Sequence, residues 1–122
     1  MDTPFYDICK ADTTVQALLG GAKPRVYDFG EAPQTVAKPY VVYQWIGGSP
    51  YNMLNCRPDA DHASLQVDVY ALSGSDSTKV AKAIRYAIEL NSYITGYRAT
   101  EREPETKLYR TSFDVDWIVK RN

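Results

Sequence analysis

Residues 108–120 carry the pattern that most constrains the fold of this chain. Mostly apolar and aromatic side chains occupy alternate positions from Tyr109 to Val119, and polar side chains fill the positions between them as far as Asp116. Because successive side chains of a β-strand point to opposite faces, this alternation predicts a strand with one buried face. Residues 65–71 repeat the alternation, so we predict a sheet whose two faces differ in polarity.

Two further segments have the periodicity of amphipathic helices. Between Phe5 and Leu19 the apolar residues fall roughly on one helical stripe. Residues 76–90 repeat apolar side chains at spacings of three, four, seven and eight. Asp12 is a candidate N-cap, which predicts that the first helix breaks or restarts near residues 11–12.

Turn residues and shorter patterns predict the remaining segments. We expect a short strand over residues 25–29, a central strand apolar on both faces over 40–46, a long loop over 47–62 and a weak, charged strand over 97–103. Together the elements predict one domain of the α+β class: a single mostly antiparallel β-sheet with two α-helices packed on one face. A chain of 122 residues can bury such a core without a disulfide or a metal.

Composition and motifs argue against catalysis. The net charge is −1, whereas strong binding of nucleic acid or of an anionic membrane requires a surplus of Lys and Arg. The chain has no phosphate-binding loop, dinucleotide fingerprint or nucleophile elbow. The sole histidine, His62, lies beside Asp59 and Asp61, a grouping more typical of a solvated polar turn than of a metal site. We therefore predict no catalytic residues, no cofactor and no metal.

The two cysteines, Cys9 and Cys56, lie far apart and match no disulfide or zinc pattern. We expect both to be free thiols in a reducing compartment. The N-terminus lacks the basic and apolar regions of a signal peptide, and no apolar stretch approaches the ~20 residues that cross a bilayer. We therefore expect a protein without a membrane partner that matures in the cytoplasm.

The predicted loop over residues 47–62 is a candidate for partner contacts. Loops longer than about 12 residues are uncommon in compact domains and are often functional. This one carries Tyr51, Met53 and Leu54, apolar side chains that a solvated loop does not need. The ten tyrosines of the chain also favour protein interfaces, although tyrosine serves β-strands equally well.

Four segments, taken in order, resemble the phage tail-completion family. They are ADTTVQALLGG at 11–21, KPYVVYQ at 38–44, LQVDVYA at 65–71 and EPETKLYRTSFDV at 103–115. The resemblance implies a structural virion protein that forms a ring, usually a hexamer, on the head-proximal end of the tail tube. Such a ring stops polymerisation of the tail tube protein and then docks the head-tail connector or stopper protein. The family has no catalytic residues, in agreement with the empty search for motifs.

The resemblance also places contacts in two loops that vary within the family, over residues 28–34 and 47–62. The residues concerned are Asp28 and Glu31 in the first loop and Tyr51, Met53, Leu54 and Arg57 in the second.

A ring around a DNA conduit also suggests a role for the polar face of the predicted sheet. We expect Asp68, Asp114 and Asp116 to line the channel, because an acidic wall lets DNA slide through without specific binding. A solvated face or a subunit contact explains the same three carboxylates about equally well. Two other functions stay open: a different neck protein, such as a connector or stopper ring, and a generic α+β ligand-binding or enzymatic domain whose large loop covers a pocket.

Overall fold

The computed structural model describes residues 3–121, which form three helices and six strands. In chain order they are α1 (Phe5–Ala11), α2 (Thr13–Leu19), β1 (Val26–Asp28), β2 (Tyr40–Pro50), β3 (Ala60–Ala71), α3 (Gly74–Ile88), β4 (Tyr93–Tyr97), β5 (Glu101–Arg102) and β6 (Tyr109–Lys120).

The strands form one sheet in the order β1-β2-β3-β6-β4, and β5 pairs with β6 on the same side as β4. β1 runs parallel to β2, and every other pairing within the described residues is antiparallel. The prediction of an α+β fold with a mostly antiparallel sheet is confirmed. β3 and β6 pair along their whole length, from Ala60 opposite Lys120 to Ala71 opposite Tyr109, and form the centre of the sheet.

The first predicted helix is in fact two, so residues 3–121 contain three helices where we expected two. The Asp12 carboxylate accepts a hydrogen bond from the Val15 backbone N–H at 3.0 Å, which caps α2 and separates it from α1. This N-cap and this break are as predicted. Gly20 ends α2 with a φ of 101°, a conformation that favours glycine. Ser73 caps α3 by accepting from the Asp76 N–H at 3.1 Å.

All three helices cover the same face of the sheet, and the core lies between the two layers. The helices contribute Phe5, Cys9, Val15, Leu19, Val80, Ile84 and Ile88, and the sheet contributes Val41, Leu65, Val67, Val69, Phe113, Val115 and Trp117. Within the described chain no helix packs on the opposite face. β3 and β6 therefore each have one covered and one bare face, as their alternation predicts.

The long loop predicted over residues 47–62 does not exist. β2 continues to Pro50 and β3 begins at Ala60, so the connection is confined to residues 51–59. Gly47 and Gly48 are part of β2. A Cβ on Gly48 would lie 2.3 Å from the His62 carbonyl oxygen, so the close approach of β3 favours glycine at this position. Pro50 pairs with Asp61 at the end of the ladder, where a missing N–H is tolerated.

Two other strand predictions were wrong in part. β2 is not buried on both faces: Val41 is buried, whereas Trp45 and Ile46 are 55% and 46% exposed, because the core covers only the first half of the strand. The weak strand predicted over residues 97–103 is two short strands, β4 and β5. Between them the chain stays beside β6, since the Arg98 N–H donates to the Ser112 carbonyl at 3.0 Å.

Candidate assembly surfaces

The hairpin of β2 and β3 and the end of β6 extend beyond the layer of helices. Ala63 and Trp117 are the last fully buried residues along β3 and β6 in this direction. We call residues 47–62 and 118–121 the arm. It is the part of the sheet in which no residue is buried, and most of it coincides with the segment that the sequence singled out for partner contacts.

A β-bulge in β2 marks the start of the arm. Trp45 pairs with Leu65, whereas Gly47 pairs with the next residue of β3, Ser64, which leaves Ile46 as the extra residue. A bulge bends its strand and increases the local twist. The arm therefore leaves the body of the sheet at an angle that this one residue helps to set.

The residue after β6 stabilises the far end of the arm, next to its tip. The Arg121 guanidinium donates two hydrogen bonds to the Asp61 carboxylate, at 2.9 and 2.7 Å, and the Arg121 backbone N–H donates to the Asp59 carbonyl at 2.7 Å. The hydrogen bonds from Arg121 hold the pKa of Asp61 below its ordinary value. Three strands thus run along the arm as far as its tip, which makes it more than an isolated two-stranded hairpin.

The tip of the arm presents apolar side chains to solvent. Met53 and Cys56 form an isolated antiparallel bridge around a tight turn in which Asn55 has a φ of 61°. Leu54, at the apex, is 91% exposed, while Tyr51 and Met53 are about half that. The predicted exposure of these three residues is therefore present, although their partner contacts stay a prediction.

Asp59, Asp61 and His62 do not form the solvated polar turn that we expected. Asp61 and His62 lie in β3, where Asp61 binds Arg121 and the His62 Nε2 lies 2.9 Å from the Asp116 carboxylate. Within residues 3–121, no group of three His, Cys, Asp or Glu side chains converges as a metal site requires.

The bare face of the sheet holds the three carboxylates expected to line a channel. Asp116 accepts hydrogen bonds from the Ser64 hydroxyl at 2.7 Å and contacts His62. Desolvation raises the pKa of Asp116, but the hydrogen bonds from Ser64 and His62 more than offset it, so the pKa is lowered overall. Asp114 pairs with Arg98 at 3.1 Å. Both side chains stay about 30% exposed, and each has a polar partner on this face: Arg98 for Asp114, and Ser64 and His62 for Asp116.

Asp68 differs from the other two carboxylates. Its residue is 8% exposed, and its oxygens accept hydrogen bonds from the Ser112 hydroxyl and the Gln66 amide. Asp68 therefore contributes little accessible surface to any channel wall and mainly joins β3 to β6. The placement of the bare face in a channel stays a prediction.

The other predicted contact residues, Asp28 and Glu31, bracket a turn at the edge of the sheet. The Glu31 N–H donates to the Asp28 carbonyl at 2.9 Å, and Gly30 has a φ of 84°. This is the geometry of a type II turn, with glycine at its third position. The second position presents Phe29, which is 70% exposed. Sequence reasoning missed Phe29, although glycine directly after it, between two acids, is a turn signal.

The two cysteines are free thiols in different environments. Cys9 lies in the core between α1 and the sheet, where burial, with a smaller contribution from Asp12, raises its pKa to about 12. Cys56 is exposed at the tip of the arm.

The α+β domain thus exposes apolar side chains at the tip of the arm and at the Phe29 turn. The sequence profile of the family described as Tail completion protein gp17 matches residues 3–120. The chain therefore belongs to this family and is a structural component of phage tails.

The fold is also found in a solved virus-like particle. The chain is similar to one in the structure titled virion of native gene transfer agent (GTA) particle, with a TM-score of 0.65 and 16% sequence identity. The similarity covers 96% of this chain and 92% of that one, which shows that the whole fold is shared. No curated protein matches the sequence. None of the helices between residues 3 and 121 is long and apolar enough to cross a membrane.

Proposed function

We propose that this protein forms a closed ring of six copies on the head-proximal end of the phage tail tube. There it ends polymerisation of the tube and provides the surface on which the head connector docks. Membership of the tail-completion family over residues 3–120 supports this proposal. A tube of stacked rings grows because the top of each ring complements the bottom of the next. A terminator must bind one such face and present a different one.

The observation that carries the proposal is the apolar tip of the arm. Leu54 is 91% exposed, and Tyr51 and Met53 are also exposed, at the end of a hairpin that is well ordered by β-pairing and by Arg121. The Leu54 side chain is too exposed to contribute much to folding. A contiguous exposed apolar group usually marks a contact with another protein. We infer that the tip contacts the tail tube or the neighbouring ring above it.

The test is to replace Tyr51, Met53 and Leu54 together with Ser and to examine tails by electron microscopy. We expect a folded protein, with overlong tails or heads that fail to join tails. The matched control replaces Leu72 and Leu90 with Ser, since they are 71% and 95% exposed away from the arm. Normal tail length and normal infectivity in the arm variant would contradict the proposal. Binding of the wild-type protein to the portal side, and not to purified tail tubes, would favour a connector or stopper.

We also propose that the bare face of the sheet lines the DNA channel of this ring. Asp114 and Asp116 remain accessible there, and their pairing with Arg98 and His62 leaves no net positive surface to grip DNA. Replacing both aspartates with Lys should slow DNA passage in a way that salt relieves. The control carries Asp7→Lys and Glu105→Lys on exposed sites off this face. Unchanged ejection kinetics, or a ring with this face on its outer wall, would overturn the assignment.

A purely structural role also means that the protein acts without catalysis or bound metal. This part of the proposal rests on the family, which is one of structural tail proteins. Elemental analysis of the native protein should find no stoichiometric zinc or iron. One metal ion per chain would contradict it.

A further inference from the structure

A groove runs between α2 and α3 on the outer surface of the helical layer. It has a volume of about 370 Å³, and its floor is formed by Ala17 and Leu18 of α2 and Ala83 of α3. Tyr86, which is 80% exposed, forms one wall. The groove is therefore apolar and open to solvent, and it is wide enough to receive an aromatic side chain.

The rim of this groove is basic. Lys79 and Lys82 of α3 line it, and within residues 3–121 neither forms an ion pair or a side-chain hydrogen bond. Asp12 also lines the groove, but its carboxylate is engaged as the cap of α2. A complementary partner would carry an apolar side chain with carboxylates beside it. The apolar side chain would lie on the floor of the groove, and the carboxylates would lie beside the ammonium groups of Lys79 and Lys82.

The chain itself carries a segment of this chemistry, the turn at residues 28–31. Phe29 stands at its corner, 70% exposed, with Asp28 directly before it and Glu31 two residues after it. The Asp28 carboxylate bonds only to the Phe29 backbone N–H, at 2.8 Å, and neither acid forms an ion pair within the described chain. The hydrogen-bonded turn fixes the backbone that presents the Phe29 side chain, which lowers the conformational cost of docking.

No other exposed apolar side chain of the described residues is flanked by two carboxylates that lack ion pairs. Leu90 follows Glu89, but that carboxylate is paired with Arg85 at 3.1 Å. The tip of the arm carries Arg57 and so has the wrong charge near its apex for a lysine rim. The charge pattern therefore selects the Phe29 turn.

We propose that the Phe29 turn of one copy docks into the α2–α3 groove of the next copy, with Asp28 and Glu31 facing Lys79 and Lys82. This inference rests on the proposed ring and names part of its subunit interface. The turn lies at the edge of the sheet and the groove lies on the layer of helices, so the two surfaces differ and the contact is heterologous. Repetition of such a contact generates a ring when the rotation between copies closes.

The first test is zero-length carbodiimide cross-linking of native protein assembled on tail tubes, followed by mass spectrometry. Equal amounts of ordinary and isotope-labelled protein are mixed first, so that links between copies give mixed-label peptides. We expect mixed-label peptides that join Asp28 or Glu31 to Lys79 or Lys82. Rings that form with links only elsewhere, or only within one copy, would overturn the interface while the proposed function stands. Absence of any wild-type ring would overturn both.

The second test exchanges the charges. Lys79→Glu with Lys82→Glu should weaken ring formation about tenfold or more, since like charges then face each other. Adding Asp28→Lys and Glu31→Lys should restore it, whereas a general folding defect would persist. Phe29→Ala should also weaken the ring, and its control is Leu72→Ala, because Phe29 and Leu72 are 70% and 71% exposed. Failure of the second pair of changes to restore assembly, or equal effects of the two alanine variants, would overturn the inference.

Discussion

The body of the sheet and the arm are built from the same strands, yet they use apolar residues differently. In the body, alternate residues of β3 and β6, such as Val67 and Phe113, are buried under the helices. In the arm no residue is fully buried, and Leu54 at its tip is 91% exposed. The buried apolar residues of the body are thus explained by folding, whereas folding does not explain the exposed side chain of Leu54.

This comparison separates two kinds of mutational effect. Burial of a large apolar side chain contributes about 1.5–3 kcal/mol to folding, and removal from a packed core costs more because a cavity remains. Leu54 at the arm tip, which is 91% exposed, has neither contribution in the isolated chain. Changes in the body should therefore appear in the stability of the protein, and changes in the arm should appear in assembly.

The largest expected effect is in the body. Phe113→Ala removes a ring that is 2% exposed and should lower the free energy of unfolding by about 3–5 kcal/mol. Leu54→Ala at the arm tip should change it by less than about 0.5 kcal/mol. Urea unfolding of both variants measures the difference. A comparable loss in Leu54→Ala would break the distinction between body and arm.

An intermediate effect is expected inside the arm, at its two glycines. Gly48→Ala places a Cβ against the His62 carbonyl oxygen and should cost about 1–3 kcal/mol, with faster hydrogen exchange along the arm. Gly47→Ala is the control, because nothing lies within 4 Å of its Cβ position. If both variants behave alike, the close approach of the strands at Gly48 is not what orders the arm.

A smaller effect on stability is expected at Asp116, which lies on the bare face and contacts His62 of the arm. Asp116→Asn keeps the shape but weakens the bonds from Ser64 and His62, and should cost about 1 kcal/mol at neutral pH. Because the folded protein lowers the pKa of Asp116, this stability is present above the ordinary value of 3.8. It is lost as the pH falls through the folded pKa. Urea unfolding at pH 7 and under acid should show the two proteins converging in acid; a constant difference would contradict this.

The smallest effect on stability is expected at the cysteines, one in each region. Cys56→Ser should change the free energy of unfolding by less than about 0.5 kcal/mol. It should also abolish labelling of the folded protein by a maleimide dye, because Cys9 is buried and its pKa is about 12. In urea the variant should take up one label. Labelling of folded Cys56→Ser at the wild-type rate would mean that the core opens readily.

The sequence predicted those parts of the fold that depend on local pattern. The alternation of β3 and β6, the stripe of α3 and the cap at Asp12 each show in neighbouring residues. The arm could not be predicted from local pattern, because Gly47, Gly48 and Pro50 are residues that usually end strands. Its order comes from pairing between distant segments, as in the Arg121–Asp61 contact across 60 positions.

The candidate surfaces divide in the same way. The sequence predicts the apolar character of Tyr51, Met53 and Leu54. It does not predict the groove between α2 and α3, because the groove forms only when two helices distant in sequence pack together. Phe29 carried a local signal, but its exposure depends on where the edge of the sheet falls.

The bulge at Ile46 sets the direction in which the arm projects. Strands advance about 3.3 Å per residue, so the four residues of β2 that pair beyond the bulge carry the far end of the ladder about 13 Å from it. β3 and β6 pair without a break through the same region, so three strands hold this direction. In the proposed ring every copy would carry the same bend, and the tips of all the arms would therefore lie at one common radius.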